Sequence, residues 1–333
     1  MDPNSGFCSE TKIYHSLRPQ VPLPPETTPL SITDYAFSLL RQASTTISGA
    51  KFIDVTTHEC IPSSELEIRT KTLAFSLQHH VGLCKGDCAF VLSPNSVHIP
   101  ILYLSLLSLG VIVSPSNPAS SKTEISRQIQ ICKPVIAFVT SDTAHKVASL
   151  RYRTIFLDSP EFESMTKSRT ETSPQKIEVF PYDVAAIMFS SGTTGKTKGV
   201  ILTHRNFMAM LAGVHAIRPI RSSTAVMLCT VPYFHVYGFT NCVRAASMGE
   251  ILVSMKRFDL RLMMKAIEEF RITHVALAPP VIVALVNSGD LVNNYDLSSL
   301  EAVHSGGAPL SEAVIERFKS KFPNVSLGQV SVP

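Results

Sequence analysis

The 333-residue chain has no tryptophan, an absence that excludes nothing. Its other gaps are more informative. Charge is scarce: Asp, Glu, Lys and Arg make up 17% of the residues against 45% hydrophobic, so much of the chain is meant for burial. The net charge of +4 is spread thinly, with no run of five or more basic residues, which argues against nucleic acid as a partner. No apolar run reaches the roughly 20 residues that span a bilayer. The longest, Ile99–Val113, is interrupted by Pro100, Ser105, Ser108 and Gly110, and reads as a buried helix to Leu109 followed by a strand Val111–Val113. The first ten residues lack a basic leader and an apolar core, so no secretory signal is read there. The last three, Ser331-Val332-Pro333, are not a peroxisomal Ser-Lys-Leu address. The seven cysteines, an odd number, are scattered, and the close pair Cys84 and Cys88 has no second pair at zinc-ligand spacing. That usage fits a reduced intracellular protein, cytoplasmic or peroxisomal.

Acidic residues are also missing from one particular stretch, residues 190–200, which read Ser-Ser-Gly-Thr-Thr-Gly-Lys-Thr-Lys-Gly-Val. Glycines let a backbone approach a ligand closely, while hydroxyls and lysines supply donors and positive charge. The combination suits a polyphosphate. It is not a Walker A loop, which needs four residues between its first glycine and its Gly-Lys pair. Here only Thr193 and Thr194 separate Gly192 from Gly195-Lys196.

Around this run the pattern alternates between strand and helix. Residues 1–24 read as an extended lead-in rich in Pro, Ser and Thr. Before the run, helices are expected at 33–46, 63–79, 98–109 and 122–132, and strands at 52–56, 88–92, 111–113, 135–140 and 154–157. Residues 159–176 read as a polar break. Beyond the run, strands are expected at 225–231, 250–254, 273–278 and 301–304. Helices are expected at 260–270, capped by Asp259, and at 280–288 and 311–322. Such interleaving predicts an α/β fold with parallel sheets covered on both faces.

Three further elements accompany the loop. Pro232-Tyr233-Phe234-His235-Val236-Tyr237-Gly238 leaves a strand end, where α/β sheets place ligands; His235 there is either a functional group or a packed loop histidine. Ser305-Gly306-Gly307-Ala308-Pro309 follows another strand, and its small residues would let a flat group lie against the backbone, or would simply make a tight turn. Arg257 follows Lys256 at a strand end, where a solvated basic tip is the plainer reading.

Taken in order, Ser190–Val200, the 232–238 loop and Ser305–Pro309 resemble the adenylate-forming enzymes. Within them the plant 4-coumarate–CoA ligase and related acyl-CoA synthetase branch fits best, helped by Tyr295–Leu300. The resemblance implies a fold of two stacked βαβ-type subdomains forming the large N-terminal domain, without the small C-terminal domain. That domain would occupy 25–333, with one subdomain about 72–215 and the other about 25–70 plus 222–333. The implied activity joins a carboxylic acid to coenzyme A through an acyl-adenylate, using ATP and Mg2+, on a 4-coumarate-like phenylpropanoid or a fatty or oxylipin acid. By the same resemblance, Ser190, Ser191, Gly192, Thr193, Thr194, Gly195, Lys196 and Lys198 would hold the phosphates, and Gln329 would contact the nucleotide. His235 would be the catalytic group beside the reacting carboxylate. Tyr237, Gly306, Gly307 and Ala308 would line the acyl and adenosine pocket, and Arg257 matches a coenzyme A contact weakly. No metal-ligating residue is assigned.

The match breaks at its end. The family continues its Gly-Gln pair into Gly-Tyr-Gly-Met-Thr-Glu, whereas Gly328-Gln329 is followed here by Val330-Ser331-Val332-Pro333. The Thr-Glu that helps to hold magnesium, the acid that grips the ribose and the lysine of the C-terminal domain have no match. The expectation is a truncated product, from an alternative transcript or a gene-model error, with impaired or absent turnover. Two other readings compete with it: a non-catalytic nucleotide-binding or regulatory isoform that associates with the full-length ligase, and a P-loop NTPase, which the glycine spacing disfavours.

Overall fold

The computed structural model describes residues 2–18, 20–42, 51–147, 153–167, 175, 177–190, 197–217, 221 and 223–330. A small hairpin of β1 (Phe7–Cys8) and β2 (Ile13–Tyr14) comes first, then α1 (Ile32–Gln42). An antiparallel pair, β3 (Lys51–Asp54) and β4 (Cys60–Ile61), leads into α2 (Ser63–Ser76), which a π-helical turn at Leu77–Val81 prolongs.

The first large sheet is then laid down. Its elements are β5 (Cys88–Leu92), α3 (His98–Ser108), β6 (Ile112–Pro115), α4 (Lys122–Cys132), β7 (Ile136–Val139), β8 (Arg153–Phe156), α5 (Pro160–Lys167), β9 (Val184–Ser190) and β10 (Lys198–Thr203). The strand order is β10-β9-β6-β5-β7-β8, parallel throughout except for the β9–β10 hairpin. β5 is buried along its whole length, as a continuous apolar run in a doubly covered parallel sheet should be. α3 is buried nearly all round, and Pro100 sits in its first turn, where its missing N–H has no helical partner to lose. α4 starts on a reciprocal cap: Ser121 Oγ accepts the Glu124 N–H, and Glu124 Oε2 accepts the Ser121 N–H at 2.8 Å.

After α6 (His204–Ile217) the second sheet follows, from β11 (Val226–Cys229), α7 (Val236–Met248), β12 (Ile251–Ser254), α8 (Leu260–Phe270), β13 (His274–Leu277), α9 (Pro279–Val286), β14 (Ala302–Gly306), α10 (Glu312–Lys321) and β15 (Ser326–Val330). Its order, β15-β14-β13-β11-β12-β3-β4, recruits the early β3–β4 pair to one edge. The cap expected from Asp259 is made: its Oδ1 accepts the Leu262 N–H at 2.8 Å. The α/β architecture with parallel sheets is therefore as expected.

Three helices correct the reading of the sequence. The stretch taken as a polar break holds α5, whose Phe162 and Met165 are buried while Glu161, Glu163 and Lys167 stay outside; eight residues are too few for the apolar period to stand out. α6 was not anticipated at all. α7 begins at Val236, inside the 232–238 segment read as a loop leaving a strand end, and runs to Met248, where no helix was expected.

One apolar cluster draws on both sheets, joining Ala89, Val91 and Val113 of the first to Phe52, Met227 and Leu252 of the second through α1, α3 and α7. The outer face of the second sheet packs on α8, α9 and α10, and that of the first sheet on α4. No helix among the described residues is long and apolar enough to cross a membrane.

Candidate functional site

The phosphate-type run sits on the β9–β10 hairpin. β9 is buried at Ala185, Ala186 and Met188 and emerges at Ser190, which is exposed. Lys198 opens β10 directly opposite Ser190 and is exposed as well. Ser191, Gly192, Thr193, Thr194, Gly195 and Lys196 lie outside the described residues. What is placed is the pair of strand ends on either side of them.

His235 owes its position to backbone geometry. β11 runs out at the C-terminal edge of the second sheet, where Thr230 Oγ1 donates to the Ala276 carbonyl at 2.7 Å. The chain then turns through Pro232, whose carbonyl accepts the His235 N–H at 3.1 Å, and α7 starts at once. His235 is the N-cap: its φ and ψ are −84° and 146°, and its Nδ1 accepts the Tyr237 N–H at 3.3 Å. An imidazole that accepts at Nδ1 carries its proton on Nε2, so accepting there leaves one N–H donor at Nε2. The tight entry depends on Gly238, because a Cβ there would lie 2.0 Å from the Pro232 carbonyl oxygen. Tyr237, in the first turn, is half-buried, and that burial pushes its hydroxyl above the ordinary value.

The third motif lies on the same edge of the sheet. β14 runs through Ser305 to Gly306; Gly307 follows at φ 94°, in the left-handed region, and Ala308 is exposed. Leu310 and the N-cap Ser311 then lead into α10, close to where a helix was expected. Gln329, paired in register with Ser305, turns its Oε1 to the Leu310 N–H at 3.0 Å and so ties this loop to β15. Arg257 is exposed beyond the end of β12, again on that edge. Its neighbour Lys256 lies 3.9 Å from Asp142, but both side chains are open to solvent and the pair contributes little.

A cavity of about 460 Å³ brings two of these elements together. Ser190 and Thr197 from the hairpin face it, and so do Phe234, His235 and Val236 from the second sheet. Its remaining polar wall comes from Ser116, Asn117, Ser120, Glu124 and Gln128, after β6 and on α4. Ser116 donates to Gln128 Oε1 at 2.5 Å, fixing that wall. The Ser121 amide holds the Glu124 carboxyl below its ordinary range, so it stays ionised. Tyr237, Gly306, Gly307, Ala308, Gln329 and Arg257 do not line this cavity. The Ser116–Gln128 wall was missed because Ser-Pro-Ser-Asn-Pro looks like an ordinary turn. The sequence signal available was its place after a strand end.

Another missed feature is the stacked pair His274 and His304, on adjacent strands with ring centroids 5.8 Å apart. Burial, then the neighbouring His304, pushes His274 down to about 4, and burial also lowers His304. Both rings are neutral at ordinary pH. Gly328, opposite His304, leaves room for the ring, since a Cβ there would lie 3.0 Å from its Cδ2.

Comparison with known proteins gives this geometry a setting. The family model described as AMP-binding enzyme matches residues 52–330. The chain is 45% identical to 4-coumarate--CoA ligase-like 9 of Arabidopsis thaliana, covering 99% of this chain and 61% of that protein. It is 38% identical to 4-coumarate--CoA ligase-like 5 of Oryza sativa subsp. japonica, over 99% of this chain and 62% of that one. It is 34% identical to the Peroxisomal OPC-8:0-CoA ligase 1 of Arabidopsis thaliana, over 99% and 61%. The chain thus spans about 61% of the length of such curated relatives. Among solved structures, the luciferase-like enzyme from the nonluminescent Zophobas morio mealworm matches with a TM-score of 0.80 at 22% identity, over 93% of this chain and 73% of that one. The N-terminal domain of FACL13 from Mycobacterium tuberculosis matches at 0.78 and 22%, over 90% and 75%. These two likenesses show the fold. With a family model matched over residues 52–330, the chain belongs to the AMP-binding enzyme family.

Proposed function

We propose that the chain carries the acid-activating site of an ATP-dependent carboxylic acid–CoA ligase. The observation that carries this reading is the shared cavity, which sets the hairpin residues Ser190 and Thr197 across from His235. A carboxylate and a polyphosphate must meet for adenylation, and this is where hydroxyl donors and an imidazole face one space.

In the first step a carboxylate oxygen attacks the α-phosphorus of ATP. The bond from that phosphorus to the bridging oxygen breaks, and pyrophosphate leaves with the electron pair. The protein's part is positioning and charge neutralisation. Ser190, Thr197 and Lys198, with residues 191–196 between them in sequence, would hold the departing phosphates. His235 would donate its Nε2–H to the carboxylate oxygen that does not attack, aligning the other. In the second step the sulfur of coenzyme A attacks the acyl carbon, gives up its proton, and AMP leaves; Arg257 is the candidate contact for coenzyme A. Tyr237, Gly306, Gly307 and Ala308 are assigned to the acyl and adenosine side, and Gln329 to the nucleotide. Bound magnesium would neutralise phosphate charge. Among the described residues, however, no group of three or more His, Cys, Asp or Glu side chains is arranged to hold a metal ion.

The names of the relatives support two acid classes, a 4-coumarate-like phenylpropanoid and a fatty or oxylipin acid. A non-hydrolysable acyl sulfamoyl-adenosine, prepared with each acyl group, should raise the unfolding temperature of the chain in proportion to occupancy. No shift with either at saturating concentration would sink the reading.

A further inference from the structure

We infer that Asn95 is a positioning residue that holds the His235 loop and the Lys256-Arg257 tip at a fixed separation. Asn95 lies between β5 and α3, on the first sheet, and its side chain is buried, with 5% of the residue exposed. Its Nδ2 donates to the Val231 carbonyl at 3.0 Å and to the Met255 carbonyl at 3.3 Å. Its Oδ1 accepts the Tyr233 N–H at 2.7 Å. The orientation of the amide is unambiguous, because turning it over would set oxygen against two carbonyls and nitrogen against an N–H.

These three bonds satisfy groups that the sheet itself leaves open. β11 and β12 run parallel, with Cys229 opposite Ser254, and their chains diverge just beyond. Val231 and Tyr233 belong to one departing strand, Met255 to the other. One carboxamide from the opposite sheet therefore spans the split. His235 stands two residues after Tyr233, and Arg257 two after Met255. Tyr103 holds the loop from the same side, its hydroxyl donating to the Tyr233 carbonyl at 3.3 Å. Among the described residues the hydrogen bonds of Asn95 go to Val231, Tyr233 and Met255 and none to Ser190 or Lys198, so its removal should act on the His235 side of the cavity first. This inference rests on the acid-activation reading for its consequence, and on the geometry alone for the clamp.

The test compares Asn95→Ala and Asn95→Asp with the unsubstituted chain, using two probes and amide hydrogen exchange. Aspartate keeps the acceptor for the Tyr233 N–H but removes both donors. Asn95→Ala should weaken acyl sulfamoyl-adenosine binding at least about tenfold while inorganic pyrophosphate binding changes less than about twofold. Exchange should accelerate at 231–238 and 255–258 but not in β5 or β6, with Asn95→Asp accelerating the 255–258 segment more than Tyr233. An equal loss of both probes, a uniform rise in exchange, or no change in either would overturn the inference. If the unsubstituted chain binds neither probe, the acid-activation reading fails separately, and the exchange pattern still decides the clamp.

Discussion

His235 Nδ1 accepts the backbone N–H of Tyr237 at 3.3 Å, so one imidazole both caps α7 and faces the cavity beside Ser190. The two roles separate by substitution. Asparagine is as good an N-cap as exists, whereas alanine is among the poorest. His235→Asn should leave urea stability within about 0.5 kcal/mol, and His235→Ala should cost about 1 kcal/mol. Both should lose affinity for an acyl-adenylate analogue. If His235→Asn binds the analogue as the parent does, the imidazole has no part in holding the acid.

Gly238 should tolerate no side chain. A Cβ there would fall 2.0 Å from the Pro232 carbonyl oxygen and 2.6 Å from its carbon, backbone atoms that cannot swing aside. Gly238→Ala should cost about 3 kcal/mol or more in a urea titration, at the top of the range for overpacking. A loss under about 1 kcal/mol would mean that the start of α7 is looser than described.

Gln329 acts here through the chain rather than through solvent: its Oε1 takes the Leu310 N–H, and Leu310 is buried. Gln329→Ala should cost about 1 kcal/mol and speed amide exchange at Leu310, whereas Gln329→Glu, which keeps the acceptor oxygens, should restore most of it. Equal behaviour of the two would remove this bond from the account.

Acid should weaken the fold through buried histidines. His204 is fully buried, and its Nδ1 accepts the Ile32 N–H at 3.0 Å, where α1 begins. Burial, only partly offset by Asp183, pushes it down to about 4 from an ordinary 6.5. Between those values the unfolded chain binds the proton and the folded chain does not, so stability is intact above 6.5 and falls as pH drops toward 4. The slope from His204 alone should be at most about 1.4 kcal/mol per pH unit. His274 adds in the same direction and the same window. A flat urea midpoint across that window would contradict the buried neutral rings.

Alternation of strands and helices was legible because the apolar runs are short and cleanly separated; β5 and α4 fall where their patterns end. α7 was not legible, because His235 is an unusual cap and Pro232 and Gly238 both read as turn residues. The site was legible only as separate motifs. Residues 190–200 advertise a polyphosphate by their chemistry, and nothing in them says that His235 stands across one cavity. That proximity is a product of the α1, α3 and α7 packing that joins the two sheets. Asn95 left no sequence trace, since a lone asparagine in Ser93-Pro94-Asn95-Ser96 looks like any surface turn.

The recruitment of β3 by β12 has a consequence for synthesis. Asp54 pairs with Ser254, about 200 residues later, so the β3–β4 pair leaves the ribosome long before its partner exists. At roughly 5–20 residues per second, the wait is on the order of 10–40 seconds. Throughout it, Phe52 and Ile53, both buried in the finished sheet, are offered to other chains along an open strand edge. Translation speed between residues 61 and 251, and chaperone cover over that interval, should therefore bear directly on the yield of soluble protein.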